Sequence, residues 1–156
     1  MSGTGLPDLF DDAPRRADLV VHDTRWSSDA IDDHTARLAG GLAARGVGSG
    51  DRVAFQLPVG AGGVLVYRAC WHLGAVAVAV HPAAGADHLA TTLPTAEPPL
   101  LVGGGGMAVD DHPDAVALAD LPGGPVGRRA VGPDDDAVVL FTSRASGSPK
   151  GVVHTH

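Results

Sequence analysis

Short apolar runs alternate along the first two thirds of the chain with segments in which apolar residues recur at helical spacing. Ser27 or Ser28 is suited to cap the amino end of the first helix, and Gly46 is suited to close its carboxyl end. Further along, the pattern predicts a strand at 52–57, a helix at 61–73 closed by Gly74, a strand at 75–80, a weaker helix at 86–93 and a strand at 99–102.

This alternation of strands and helices predicts an α/β fold in which helices flank a parallel or mixed sheet. Residues 1–25 read as an irregular lead-in with one short strand at 19–21, and residues 26–102 as the α/β core segment. Residues 103–136 are rich in Gly, Pro and Asp and predict a surface loop with at most one short strand, at 116–118. Residues 137–156 begin with an apolar strand, 137–141, and continue into a polar loop.

Composition narrows the class of protein. The 156 residues suit a single domain, and 44% of them are apolar but only 4% aromatic, so Ala, Val and Leu must build the core. The net charge of -7 disfavours a nucleic-acid partner. No signal peptide or membrane-spanning run is visible, which predicts a cytoplasmic protein. A single cysteine excludes an internal disulfide.

The most informative chemistry follows the last apolar strand. Lys150 is the only lysine in the chain, whereas ten arginines carry all the other basic charges. A lysine ammonium is a compact point charge that suits a phosphate. Glycine lets consecutive backbone amides turn toward an anion, and hydroxyls add donors. The candidate phosphate-binding residues are Thr142, Ser143, Ser146, Gly147, Ser148, Lys150 and Gly151.

Two common nucleotide-binding motifs do not match. A Walker A loop needs a glycine directly before the lysine and Ser or Thr after it, but Ser148 and Pro149 separate Gly147 from Lys150. The glycines at 103–106 lack the spacing of a dinucleotide-binding fingerprint.

A third motif does match. Residues 141–152, FTSRASGSPKGV, resemble the phosphate-binding signature of AMP-forming adenylating enzymes, usually [YF]TSGTTGxPKGV. Residues 67–82, YRACWHLGAVAVAVHP, are similar to the family's LGAVxVPLxP element, and residues 38–54 fit its first helix, turn and strand. These segments occur in the family's order, and their details most resemble acyl-CoA synthetases.

The resemblance implies the N-terminal portion of the adenylate-forming enzyme fold and a two-step reaction. A carboxylic acid attacks the α-phosphate of Mg-ATP to give an acyl-adenylate and pyrophosphate, and coenzyme A then displaces AMP. ATP, Mg²⁺ and coenzyme A are thus the implied ligands. The candidate residues match loop positions that hold the β- and γ-phosphates and stabilise the leaving pyrophosphate.

Two positions of the phosphate-binding signature depart from the family pattern. Arg144 and Ala145 stand where the signature has Gly and Thr. Two interpretations of Arg144 stay open: its side chain obstructs a close approach to phosphate, or it supplies a compensating cation. Ala79 replaces the usual proline of the upstream element.

The resemblance also implies residues beyond position 156. The family's adenine pocket, magnesium-associated Glu, ribose-binding Asp and catalytic Lys would all follow the phosphate loop, so no complete catalytic set is expected here. We therefore expect a sheet left incomplete after this loop and an isolated chain without ligase activity. Three interpretations follow: a synthetase completed by further residues, including those of a complementary polypeptide; a non-catalytic nucleotide-binding or interaction module; and an inactive remnant.

Other chemistry-bearing residues favour structural roles. Cys70 lies on the apolar face of a predicted helix, which indicates a packed core thiol. His154 and His156 supply only two potential metal ligands, and the acidic runs at 110–111 and 134–136 are typical of solvated loops, so no metal site is predicted.

Overall fold

A computed structural model of the chain describes residue 6, residues 18–142 and residues 149–156. Within residues 18–142 and 149–156, a two-stranded hairpin precedes a six-stranded sheet with three α-helices. The strands are β1 (Leu19–Val21), β2 (Thr24–Trp26), β3 (Arg52–Phe55), β4 (Val76–Ala79), β5 (Leu100–Gly103), β6 (Ala115–Ala117), β7 (Asp136–Thr142) and β8 (Lys150–Thr155). The helices are α1 (Ser28–Ala43), α2 (Ala61–Leu73) and α3 (Ala86–Ala96), with short 3-10 helices at Ala108–Asp111 and Leu118–Asp120.

The large sheet has the strand order β6-β5-β3-β4-β7-β8. The first five strands in this order are parallel, and β8 pairs antiparallel with β7 at the edge. Helices on both faces bury the central strands, which explains their continuous apolar runs. The predicted α/β fold with a mixed sheet is confirmed.

Each face of the sheet carries its own apolar core. The core under α1 and α2 includes Val53, Phe55 and Ala77, whereas the core under α3 includes Ala54 and Val78. Successive residues of a strand point to opposite faces, so adjacent positions in β3 and β4 contribute to different cores. The same alternation determines which face of the sheet each residue at the end of a strand occupies.

The predicted ends hold for α2 and for the amino end of α1. Ser27 is the cap of α1, since its Oγ accepts a hydrogen bond from the Ala30 N–H at 3.2 Å. At the carboxyl end the prediction of Gly46 as the cap is wrong, because α1 ends at Ala43 with Ala44 as its cap and Gly46, with a φ of 87°, lies in the turn that follows. Gly74 closes α2 with a φ of 70°.

Helix α3 is longer than predicted. The predicted helix ends at Leu93, yet α3 continues to Ala96 although Pro94 cannot donate a helical hydrogen bond. Ala96 is buried, and the Arg52 guanidinium donates to its carbonyl at 3.1 Å. These tertiary contacts hold the last turn in place despite the proline, and Glu97, with a φ of 45°, then ends the helix.

The segment 103–136 is more than a surface loop. Its predicted short strand is present, one residue earlier than expected, as β6. Val109 and Leu121 are completely buried, and the stretch that follows Leu121 lies directly on α1. The prediction of a surface loop is therefore wrong at these positions, because isolated apolar residues without periodicity gave no sign of their burial.

Candidate phosphate-binding site

The hairpin of β7 and β8 positions the candidate site. β7 runs parallel to β4, so its carboxyl end lies at the same edge of the sheet as the carboxyl ends of β3, β4 and β5. Open α/β sheets bind ligands at this edge. Thr142 ends β7 and Lys150 begins β8, and the two residues are paired across the hairpin.

Thr142 and Lys150 lie on the same face of the sheet. Directly paired residues of antiparallel strands project to the same side. Leu140 pairs with Ala79, which packs against the core under α1 and α2, and Thr142 follows Leu140 by two positions. The Thr142 hydroxyl and the exposed Lys150 side chain therefore share the α2 side of the sheet. The Thr142 hydroxyl also donates to the Lys150 carbonyl at 3.5 Å, a long hydrogen bond across the hairpin.

Gly151 has a packing reason to be glycine. It pairs with Phe141 on the opposite face of the sheet. A Cβ at this position would lie 3.2 Å from Cγ1 of Val139 and 3.4 Å from the Phe141 ring, tighter than ordinary van der Waals contact. Glycine thus lets β8 pack closely on β7 directly beside Lys150.

The remaining candidate residues, Ser143, Ser146, Gly147 and Ser148, lie outside the described residues, as do Arg144 and Ala145. The described structure brings together Thr142, Lys150 and Gly151 at the base of the hairpin. Roles for all seven residues in phosphate binding stay a prediction, and so do both interpretations of Arg144.

The sequence analysis did not single out Gln56, the residue directly after β3. Its side chain is completely buried. The amide nitrogen donates to the carbonyls of His81, Pro82 and Ala84 at 3.1, 3.3 and 2.7 Å, and the amide oxygen accepts from the Val109 N–H at 2.9 Å. The only available sequence signal was a polar residue at the end of an otherwise apolar strand.

A separate cavity of about 770 Å³ lies at the carboxyl ends of β3, β5 and β6. Apolar side chains such as Leu57, Val116 and Leu118 line it, together with the glycines at 103–105. Asp110 also borders the cavity, but one of its carboxylate oxygens accepts from the Gly106 and Met107 N–H groups at 2.8 and 3.1 Å. In this turn the carboxylate stabilises the glycine-rich backbone.

Cys70 is the packed core thiol that the sequence predicted. It is completely buried, and burial raises the pKa of its thiol to about 12. A thiol with so high a pKa is protonated at neutral pH and is a poor nucleophile. The cysteine therefore belongs to the core and takes no part in the candidate site.

The structure assigns His156 to packing as well. Its ring meets Trp71 edge-on with 6.4 Å between the centroids, and its backbone N–H donates to the Asp135 carbonyl at 3.0 Å. Across residues 18–142 and 149–156, no group of three or more His, Cys, Asp or Glu side chains is arranged to hold a metal ion. The helices in the same ranges include none long and apolar enough to cross a bilayer.

Comparison with known proteins agrees with this geometry. The family model described as AMP-binding enzyme matches residues 10–156. The chain belongs to this family. The matched region contains the β7–β8 hairpin and the upstream segments whose resemblance the sequence analysis described.

Relatives of this chain include two ligases from Mycobacterium tuberculosis. The p-hydroxybenzoic acid–AMP ligase FadD22 is 33% identical over 146 residues, which cover 90% of this chain and 20% of the relative. The long-chain-fatty-acid–CoA ligase FadD13 is 30% identical over 152 residues, which cover 86% of this chain and 30% of the relative. This chain thus spans less than a third of the length of either ligase.

A solved structure confirms the fold. VinN in complex with L-aspartate superposes with a TM-score of 0.85 at 25% identity, over 99% of this chain and 45% of that chain. The architecture described above therefore corresponds to less than half of that protein. The N-terminal subdomain of NpsA from Klebsiella oxytoca also superposes, with a TM-score of 0.81 at 22% identity over 97% of this chain and 41% of that chain, and the predicted relation to the N-terminal portion of the adenylate-forming fold is confirmed.

Proposed function

We propose that the chain contributes the phosphate-binding part of a ligase that activates a carboxylic acid with ATP. In the proposed reaction, a carboxylate oxygen attacks the α-phosphorus and the bond to the bridging oxygen breaks, which releases pyrophosphate and leaves an acyl-adenylate. The thiol of coenzyme A then attacks the acyl carbon and displaces AMP. The family membership and the names of the related ligases support this proposal.

The observation that carries the proposal is the pairing of Thr142 with Lys150 at the carboxyl edge of the parallel strands. Lys150 would hold the β- and γ-phosphates and stabilise the charge that develops on pyrophosphate as it leaves. The Thr142 hydroxyl would orient the same oxygens, since it lies on the same face. Ser143, Ser146, Gly147 and Ser148 would complete the loop through their hydroxyl and amide donors.

Magnesium enters this proposal as part of the Mg-ATP substrate. Among the described residues, the β7–β8 hairpin offers the ammonium of Lys150 and the hydroxyl of Thr142. These groups suit phosphate oxygens better than they suit a divalent cation. The ion would be held by the phosphate oxygens and would reduce their charge when ATP binds.

The rest of the proposed active site would come from residues outside this chain segment. β8 offers a place for them, because all six of its residues are exposed and it lies at the edge of the sheet. Exposed sheet edges readily pair with further strands. We propose that either more of the same polypeptide or a complementary one supplies the adenine, acid and coenzyme A pockets. In this proposal residues 1–156 alone have no ligase activity, and the protein is cytoplasmic.

Calorimetric titration with Mg-ATP tests the phosphate-binding role. A charge-assisted contact contributes about 1.5–3 kcal/mol, so Lys150→Ala is expected to raise the Kd about tenfold or more. Arg25→Ala is the matched control, because Arg25 is exposed on β2 and pairs with Asp18 at 2.7 Å. A Lys150→Ala protein that binds as tightly as the wild type, or an equal loss in Arg25→Ala, contradicts the proposal.

A further inference from the structure

Gln56 connects three segments that leave the sheet at one edge. It follows β3, its amide nitrogen contacts the loop after β4, and its amide oxygen contacts the 3-10 helix after β5. These are the segments that follow three adjacent strands, in the order β4, β3 and β5. The two N–H groups of this completely buried amide are shared among three carbonyls, and its oxygen accepts from Val109. Such an amide is energetically costly to disturb, because its partners would be left unsatisfied.

The loop that Gln56 holds is next to the candidate phosphate site. β4 and β7 are neighbours with Ala79 paired to Leu140, so the segment after Ala79 leaves the sheet beside the last residues of β7. Thr142 is only two residues beyond Leu140. The loop at 81–84 therefore leaves the sheet at the same edge as Thr142 and its partner Lys150.

The direction of the loop carbonyls matters for an anion. The carbonyl oxygens of His81, Pro82 and Ala84 all point to the Gln56 amide, and hence into the protein. A carbonyl oxygen turned toward a polyphosphate would repel it. The loop also has its own internal bond, in which the Ala84 N–H donates to the His81 carbonyl at 2.9 Å.

We propose that Gln56 is a positioning residue for nucleotide binding, which keeps the loop at 81–84 in a shape that admits the polyphosphate beside Thr142 and Lys150. This inference rests on the proposed function. Gln56 acts through the loop backbone and does not touch the ligand. Its removal is expected to weaken Mg-ATP binding by more than the accompanying loss of stability explains.

Gln56→Met tests the inference, because methionine has a similar shape but no strong hydrogen-bonding group. At a temperature where all variants are folded, it is expected to raise the Mg-ATP Kd about tenfold and to speed hydrogen exchange of the Ala84 amide. Val66→Ala is the control for lost stability, since Val66 is completely buried on α2 and no hydrogen bond of the loop involves it. It is expected to lower the melting temperature but to leave the Kd within twofold of the wild type.

Gln56→Glu adds a readout that packing alone would not give. A buried carboxylate facing three carbonyls has a raised pKa, and only its protonated form can donate a hydrogen bond to the loop. The Mg-ATP Kd is measured for the wild type, Gln56→Met and Gln56→Glu at each pH. As the pH falls, the Kd of Gln56→Glu should decrease relative to the Kd of the other two proteins. Other titratable groups on the flanking segments are His81, His112, Asp110 and Asp111, and they are common to all variants.

The outcomes separate the two proposals. A wild-type protein that binds no Mg-ATP contradicts the proposed function and, with it, the inference. A wild-type protein that binds, together with a folded Gln56→Met protein whose Kd is within twofold of it, contradicts the inference alone. A Kd that rises equally in Val66→Ala also overturns the inference, because lost stability would then explain the effect.

Discussion

The contact between α1 and the chain after Leu121 provides a sharp test of the packing. A Cβ at Gly41 would overlap the Leu121 carbonyl oxygen. Gly123 lies against the same helix turn, since a Cβ added at Gly123 would lie 3.0 Å from the Gly41 nitrogen. The Gly123 N–H donates to the Arg37 carbonyl at 2.9 Å. Gly41→Ala is therefore expected to force this chain segment away from the helix.

The loss of stability in Gly41→Ala follows from the contacts that this movement would break. Van der Waals contact between a carbon and an oxygen requires a shift on the order of 2 Å. The shift would break the hydrogen bond from Gly123, worth about 1 kcal/mol, and expose part of Leu121, whose full burial contributes about 1.5–3 kcal/mol. Because alanine also gains up to about 1 kcal/mol in helix propensity, we expect Gly41→Ala to lower the free energy of unfolding by about 1–3 kcal/mol.

Gly63→Ala is the matched control. Gly63 lies in α2, and a Cβ there would meet nothing within 4 Å. The same chemical change is expected to stabilise the protein by up to about 1 kcal/mol, because alanine favours helix. Urea unfolding followed by circular dichroism measures both variants. Equal stabilities for Gly41→Ala and Gly63→Ala would refute the described contact.

Two further predictions concern ionisable groups. Cys70 is completely buried, and burial raises the pKa of its thiol to about 12. Iodoacetamide at pH 8 should therefore leave this thiol unmodified in the native protein and alkylate it in urea. Rapid labelling of the native protein would contradict the described burial. The hydrogen bond from Arg37 lowers the pKa of Asp33 below its usual value of 3.8. A carboxyl group whose pKa is lowered by folding stabilises the folded state at pH values above its pKa in the unfolded chain. The contribution of the Asp33–Arg37 pair to stability should therefore be lost as the pH falls through the pKa of Asp33 in the folded protein. Carboxyl NMR titration of the wild type and Arg37→Gln should show a lower midpoint in the wild type, and equal midpoints would contradict the interaction.

The sequence predicted most local structure because local signals were strong. Ser27 and Gly74 marked helix ends through their own backbone and side-chain chemistry, and apolar runs marked the central strands. The phosphate-binding signature identified the family. Thr142 and Lys150, which belong to this signature, are paired across the β7–β8 hairpin, and their role in phosphate binding stays a prediction. These predictions depend on residues that are close together in the sequence.

The features that were missed depend on distant residues. The contacts of Gln56 join residues 25 to 53 positions away, and no local pattern announces them. No local pattern singled out Gly41, whose small size admits the backbone of Leu121, 80 positions later. Arg52 holds the carboxyl end of α3 across the sheet and overrides the local effect of Pro94.

The central claim is that the β7–β8 hairpin binds the β- and γ-phosphates of ATP. The most direct measurement follows the amide NMR signals of Thr142, Lys150 and Gly151 during titration with Mg-ATP, Mg-pyrophosphate and AMP. We predict that Mg-ATP and Mg-pyrophosphate shift these signals and that AMP, which lacks both phosphates, does not. Equal shifts with AMP, or no shift with Mg-pyrophosphate, would contradict the claim.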